Sequence, residues 1–244
     1  MPKVTPAAIQ RSPSLVEKVR LQLAALLQSD PAATPGNDTW LPAERELARR
    51  LRVSRSVVRE ATKRLESQGL VEIQHGIGIR AVDRLHQPLN DSLSLLIPDE
   101  SNRMRALIET RLSIEPDAAA FAAERATRAQ LDNLRSIQRE LESAADHAAA
   151  VDADGAFHHA IAEASGNLIY RLILDSLAEL GKAGRLRSIS RVGKAPALEQ
   201  HAAILQAVRA RDAKTARTRM REHVLAAVHD MGLPPVAAKQ LPAV

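Results

Sequence analysis

The 244-residue chain has no cysteine and only four aromatic residues: one Trp, one Tyr and two Phe. Without thiols there can be no disulfide-stapled secreted module, cysteine-ligated zinc finger, iron–sulfur site or thiol catalysis. Four rings are too few for the stacking platforms on which single-strand nucleic-acid binders seat their bases. No run of about 18 apolar residues exists that could span a membrane. The first twenty residues also lack an apolar stretch followed by a small-residue cleavage site. The expectation is a soluble, cytoplasmic protein. What is present is ample: 45% hydrophobic residues over this length can bury one large core or two modest ones.

The charge is unevenly placed. Residues 1–85 carry 14 basic and 9 acidic side chains, whereas residues 86–244 carry 20 of each, so the whole net charge of +5 lies in the first third. The densest stretch, 45–64, holds eight basic residues against Glu46 and Glu60. A basic module joined to a neutral one suits a polyanion-binding head on a body with another task.

Periodicity divides the chain further. Residues 1–13, with three prolines, read as a flexible arm. Leu15, Val16, Val19, Leu23, Leu26 and Leu27 recur at helical spacing, which predicts a helix over 14–28 capped by Ser14. After a loop at 30–39, Pro42 suits the first turn of a helix over 43–51. Ser54 caps a third helix that ends at Gly69. Two short strand-like runs, 70–73 and 79–82, flank His75-Gly76-Ile77-Gly78 and predict a hairpin. The segment 84–99 reads as a linker, 100–232 as all-helical, and 233–244 as a tail. Helices are expected near 100–125, 128–145, 147–165, 167–190, 195–211 and 213–231, with Thr127 and Asp212 as N-caps and Gly166 as a stop. The fold class is therefore mainly α: an N-terminal winged helix-turn-helix over 14–83 and a C-terminal antiparallel all-α bundle.

In the head, Val58, Ala61 and Leu65 form an apolar stripe on the third helix, and Arg55, Arg59 and Lys63 a cationic one. A recognition helix needs that division, with one face packed and the other turned to base edges and phosphates. In the body, Asp154 and His158 share a helix face at a spacing that can chelate a cation. His201 and His223, on later helices, are able to join them. Asp152, His159 and Glu163 make a competing set, and spacing alone leaves both open.

The segments Leu41-Pro-Ala-Glu-Arg-Glu-Leu-Ala, Val53-Ser-Arg-Ser-Val-Val-Arg-Glu-Ala and Arg64-Leu-Glu-Ser-Gln-Gly-Leu-Val resemble the head of the GntR family of bacterial transcription regulators. Asp154-Gly-Ala-Phe-His-His-Ala-Ile-Ala-Glu-Ala-Ser-Gly-Asn, Glu199-Gln-His-Ala-Ala-Ile-Leu and Met220-Arg-Glu-His resemble its FCD (FadR C-terminal domain) branch. The resemblance implies a DNA-contacting set of Arg45, Ser54, Arg55, Ser56, Arg59, His75 and Gly76. Arg55 and Arg59 are assigned to base edges, Arg45 and the serines to phosphate.

In the body, the resemblance implies that Asp154, His158, His201 and His223 ligate a divalent metal in an all-helical metal- and effector-binding domain over 100–232. The donor set suits Zn²⁺, Ni²⁺, Mn²⁺ or Fe²⁺. Arg111 and Asn167 are carried over as effector-binding residues, with Arg185 and Arg187 ranking behind them. Arg111 has a plainer reading as a surface pair with Glu115, and Asn167 as the start of a helix. Gln200 beside His201, and Gly155 between two of the ligands, depart from the family pattern.

The implied partners are double-stranded operator DNA, a second copy of the chain in a homodimer, and a small organic acid (a sugar acid, hydroxy acid or dicarboxylate). The expected function is a repressor, not an enzyme, relieved by its effector. The alternatives are a metal-dependent enzyme and a pure metal sensor.

Overall fold

The computed structural model describes residues 13–29, 39–74, 76–97 and 99–232. The arm except for Pro13, the tail, His75 and all but Thr39 of the loop at 30–39 lie outside the described residues. The chain divides into two compact units between Pro88 and Leu89.

The first unit is built on α1 (Leu15–Ser29), β1 (Trp40–Leu41), α2 (Glu44–Leu51), α3 (Arg55–Ser67), β2 (Val71–Gln74) and β3 (Gly78–Ala81). Val58, Ala61 and Leu65 of α3 are fully buried, and Val19 and Leu23 of α1, Leu47 of α2, Val71 and Ile79 join them in one core. The apolar stripe read from the sequence is therefore the packed face. The strands form an antiparallel sheet in the order β1-β3-β2, with Leu41 opposite Ile79 and Ile73 opposite Ile79 on the other side. β1, at two residues, is too short to leave a periodic signal and was not expected. The turn between α2 and α3 is made by Arg52 in the left-handed region, φ 54°, whose N–H donates to the Ala48 and Arg49 carbonyls.

The 84–99 segment contains a helix, α4 (Gln87–Leu96). The second unit continues with α5 (Glu100–Arg125), α6 (Arg128–Ser143), α7 (His147–Ala164), α8 (Leu168–Val192), α9 (Ala195–Arg209) and α10 (Ala213–Asp230). Their ends follow local chemistry. Thr127 and Gln130 form a capping box on α6, Asp212 accepts the Thr215 N–H at the start of α10, and Gly166 takes φ 67° beyond α7. The long α5 is central and packs against α7, α8, α9 and α10. Its buried run Ala118, Ala119, Ala120, Ala122 and Ala123 presents small side chains to those neighbours. Among the described residues, no helix is long and apolar enough to cross a membrane.

Candidate functional site

The head presents its cations outward. Arg45 on α2, and Ser54, Arg55, Ser56 and Arg59 at the start of α3, are all exposed. Ser54 caps α3 by accepting the Val57 N–H at 3.3 Å, and its hydroxyl lies 2.9 Å from that of Ser56. This leaves the positive end of the α3 dipole facing solvent beside Arg55, a ready seat for phosphate. Arg45 and Arg55 have no hydrogen-bond or ion-pair partner among the described residues. Arg59 is different: it holds Glu44 of α2 at 3.0 Å, a contact that the sequence did not disclose. At the hairpin tip Gly76 has φ 78° and is exposed, and nothing lies within 4 Å of where a Cβ would stand. His75 lies outside the described residues.

The body carries its polar chemistry inside. Asp154 and His158 from α7, His201 from α9 and His223 from α10 are all buried, and one donor atom from each lies within 4.8 Å of the other three. His158 Nε2 is 3.1 Å from His223 Nε2 and 3.8 Å from Asp154 Oδ2, and His201 Nε2 is 3.5 Å from Asp154 Oδ1. Donors that share an ion through bonds of about 2.1 Å stand roughly 3.0–4.2 Å apart, so the set has the dimensions of a coordination shell.

Three further observations fit an ion. Neither ring nitrogen of His201 has a hydrogen-bond partner, a cost that a buried polar group bears only when something else satisfies it. His223 Nδ1 donates to Gln200 Oε1 at 2.6 Å, and His158 Nδ1 faces Glu115 Oε2 at 2.9 Å. Gln200 fixes the His223 tautomer that leaves Nε2 with a bare lone pair turned to the centre, the usual support of a metal-bound imidazole, whereas His158 Nδ1 lies in ion-pair range of Glu115 without a hydrogen bond to it. Finally, Phe157 stacks on His201 with ring centroids 3.9 Å apart, which holds its plane.

Charge around the cluster is closely matched. Arg111 on α5 grips Glu115 one turn on, with Nε to Oε1 at 2.6 Å, and its Nη2 is 3.3 Å from His158 Nε2. The sequence reading of an Arg111–Glu115 pair holds, but the pair is buried instead of lying on the surface. Burial alone would raise the Glu115 pKa, but Arg111 and His158 hold it well below the ordinary carboxylate range. Burial, with the neighbouring imidazoles and Arg111, pushes His201 and His223 well below the usual histidine value, so both are neutral. Arg185 on α8 is also lowered, by burial and by Arg111, against the pull of Asp154. Arg111, Asp154, Arg185, Ser188, Gln200 and His223 line one partly open cavity.

The competing set does not assemble. His159 turns away to Asp175 at 2.5 Å, and Asp152 faces Lys182 at 3.7 Å. Nor is Asn167 brought to the cavity: its side-chain oxygen caps α8 by accepting the Ile169 and Tyr170 N–H groups. Glu115 and Gln200 are the residues whose roles at the cluster the sequence did not disclose. The one signal for Gln200 was its departure from the family's usual residue.

A winged helix-turn-helix with an exposed cationic recognition face, joined to a helical body with a buried polar centre, defines a two-part DNA-binding transcription regulator. Comparison with known proteins specifies the family. The model of "Bacterial regulatory proteins, gntR family" matches residues 18–80, and that of the FCD domain matches residues 106–226. The chain is 35% identical over 162 residues to the Uxu operon transcriptional regulator of Escherichia coli (strain K12), an overlap of 64% of this chain and 62% of that one. It thus matches somewhat under two thirds of that regulator's length. It is 31% identical over 196 residues to the HTH-type transcriptional repressor NanR of Citrobacter rodentium, covering 78% of this chain and 75% of that one. A solved structure, Streptococcus agalactiae GntR, superposes with a TM-score of 0.69 at 28% identity, covering 86% of this chain and 98% of that one. The chain belongs to the GntR family of bacterial regulatory proteins and carries an FCD domain as its body. These relatives are regulators of transcription and not enzymes.

Proposed function

We propose that the protein is a homodimeric repressor whose body binds one divalent ion and a small organic acid, and that the acid lowers its affinity for operator DNA. The observation that carries this reading is the buried cluster of Asp154, His158, His201 and His223, two of whose members, Asp154 and His223, line a cavity that Arg111 also lines. Three imidazoles and a carboxylate would hold Zn²⁺, Ni²⁺, Mn²⁺ or Fe²⁺, which would supply positive charge to a ligand carboxylate. Glu115 keeps the Arg111 guanidinium in place, and its fork suits a carboxylate. In the head, Arg55 and Arg59 read base edges, Arg45, Ser54 and Ser56 position the protein on phosphate, and the hairpin tip at His75 and Gly76 lies along the neighbouring groove. Two heads on adjacent half-sites give operator recognition. Effector and DNA affinities are coupled reciprocally, as any two linked equilibria are.

The test is elemental analysis of the purified protein, then thermal melting and operator gel shifts with a panel of sugar acids, hydroxy acids and dicarboxylates. The expected result is one bound divalent ion, and an acid that raises the melting temperature only when the ion is present and weakens the gel shift. Absence of a divalent ion, or no acid that stabilises, would overturn the reading of the body. A gel shift that responds to the ion and to no acid would make the protein a metal sensor.

A further inference from the structure

We infer that Gln200 sets how tightly the ion is held: behind His223 it presents a neutral amide where a carboxylate would fit, and this keeps the affinity of the site moderate and its ion exchangeable. The inference rests on the reading of the cluster as an ion site. The three imidazoles are backed unequally. His201 has no hydrogen bond to either ring nitrogen and is held by the face of Phe157, with ring centroids 3.9 Å apart. His158 Nδ1 stands 2.9 Å from Glu115 Oε2 without a hydrogen bond to it, and that carboxylate is already gripped by Arg111. Among the described residues, only His223 has a hydrogen bond on the nitrogen remote from the cluster, from Nδ1 to Gln200 Oε1 at 2.6 Å.

The nature of that acceptor decides what it does to the ligand. A hydrogen bond on the far nitrogen of a metal-bound imidazole fixes the ring and raises the basicity of the coordinating nitrogen. A carboxylate acceptor makes a bond roughly twice as strong as a neutral one and pushes more electron density into the ring. An amide carbonyl gives the orientation and little of the push. Gln200 also stands where its replacement can be read. It is half-buried on α9 and lines both the inner cavity and a groove between α9 and α10 that Glu199, Arg219 and Glu222 share. Glutamate there would keep the length and shape of glutamine at the edge of solvent, so its charge escapes the cost of full burial. Arg219, the arginine of the groove, is already held by Glu222 at 2.9 Å.

The test is competition for Zn²⁺ between the full chain and a chromophoric chelator at about pH 8, where free histidine carries almost no proton. Gln200→Glu should bind zinc about five- to tenfold more tightly than the wild type and release it more slowly into excess chelator. Gln200→Leu removes the acceptor and should weaken binding by about 10–100-fold. Opposite signs are the signature, because a role in packing alone would weaken both variants or leave both unchanged. Gln200→Glu has the wild-type shape, so the sign can be read even if Gln200→Leu does not fold. A glutamate variant that binds zinc no more tightly than the wild type, or a leucine variant that binds it equally well, would overturn the inference and leave the ion site standing. A wild type that takes up no Zn²⁺, Ni²⁺, Mn²⁺ or Fe²⁺ while still shifting operator DNA would overturn the reading of the cluster, and the inference with it.

Discussion

The two units place their charge in opposite ways. In the head, Val58, Ala61 and Leu65 are the inside and the arginines of the recognition face, Arg45, Arg55 and Arg59, are outside, where water screens them and each costs little to hold. In the body, Arg111, Glu115, Asp154, His158, His201 and His223 are buried beside Ile108, Phe157 and Val224. A charge inside is stable only with its partners in place, so the body's fold and its site stand or fall together, while the head's recognition face can be altered without loss of its core. The comparison can be tested by removing one partner from each.

The largest effect belongs inside. Glu115→Gln leaves the Arg111 guanidinium buried without its carboxylate and should cost about 3–5 kcal/mol, read by urea denaturation of the ion-free protein. Replacing both partners, as Arg111→Met with Glu115→Leu, should restore much of it. A Glu115→Gln cost below about 1 kcal/mol would mean that Arg111 is satisfied by Asp154 and that the pair is not the keystone of the site.

Acid sharpens the same contrast. His201 and His223 have folded pKa values depressed below the ordinary 6.5, so below that pH the unfolded chain binds protons that the folded one does not. Their contribution is therefore fully present above about pH 6.5 and lost as pH falls, by up to about 1.4 kcal/mol per pH unit for each imidazole. Glu115, also depressed, adds a loss of the same sign below its ordinary 4.5. Denaturation of the ion-free protein at pH 7.5, 6.5 and 5.5 should show a falling midpoint. A flat profile would show that these imidazoles are not held neutral.

How much of this was legible follows the same division. The head's packing face and most helix ends are local: Ser54, Thr127 and Asp212 each cap the helix that follows through their own side chains. Pattern and capping chemistry reach that far. The four clustered residues of the body were legible only through a family resemblance, because their convergence depends on how α7, α9 and α10 cross. Spacing left Asp152, His159 and Glu163 equally eligible, and the packing of α7 decided between them by burying one stripe of it. Glu115, Gln200 and Arg185 face residues 23 to 43 positions away, His158, His223 and Asp154, and no periodicity reports such partners. Gly155 looked like a departure that weakened a helix; in the fold it faces the Arg185 guanidinium of another helix at ordinary contact distance.

The head offers a smaller, selective effect. Arg55 has no partner among the described residues, whereas Arg59 must release Glu44 before it can reach a base. Arg55→Ala should therefore weaken specific operator binding by about 1–3 kcal/mol. Arg59→Ala should cost less than that, by the value of an exposed ion pair, about 0.2–1 kcal/mol. Neither should change the urea midpoint appreciably, in contrast to Glu115→Gln. Gel shifts against operator and scrambled DNA at one salt concentration measure both. If Arg55→Ala loses affinity equally for the two sequences, it contacts phosphate and not a base.

The smallest effect tests whether the head is also free of internal strain. Arg52 sits at φ 54° in the turn between α2 and α3, a conformation in which a side chain crowds the backbone and which glycine adopts freely. Its N–H still closes onto the Ala48 and Arg49 carbonyls, and any residue but proline can make those bonds. Arg52→Gly relieves the crowding but gains freedom in the unfolded chain, and the balance is a stabilisation of about 0.5–1 kcal/mol. The same change removes one cation from the most basic stretch of the head, so the salt dependence of DNA binding should become shallower if Arg52 faces phosphate and stay unchanged if it does not. Stability and salt slope are separate measurements on one variant. A loss of stability would mean that the arginine side chain contributes packing at the turn that outweighs its backbone strain.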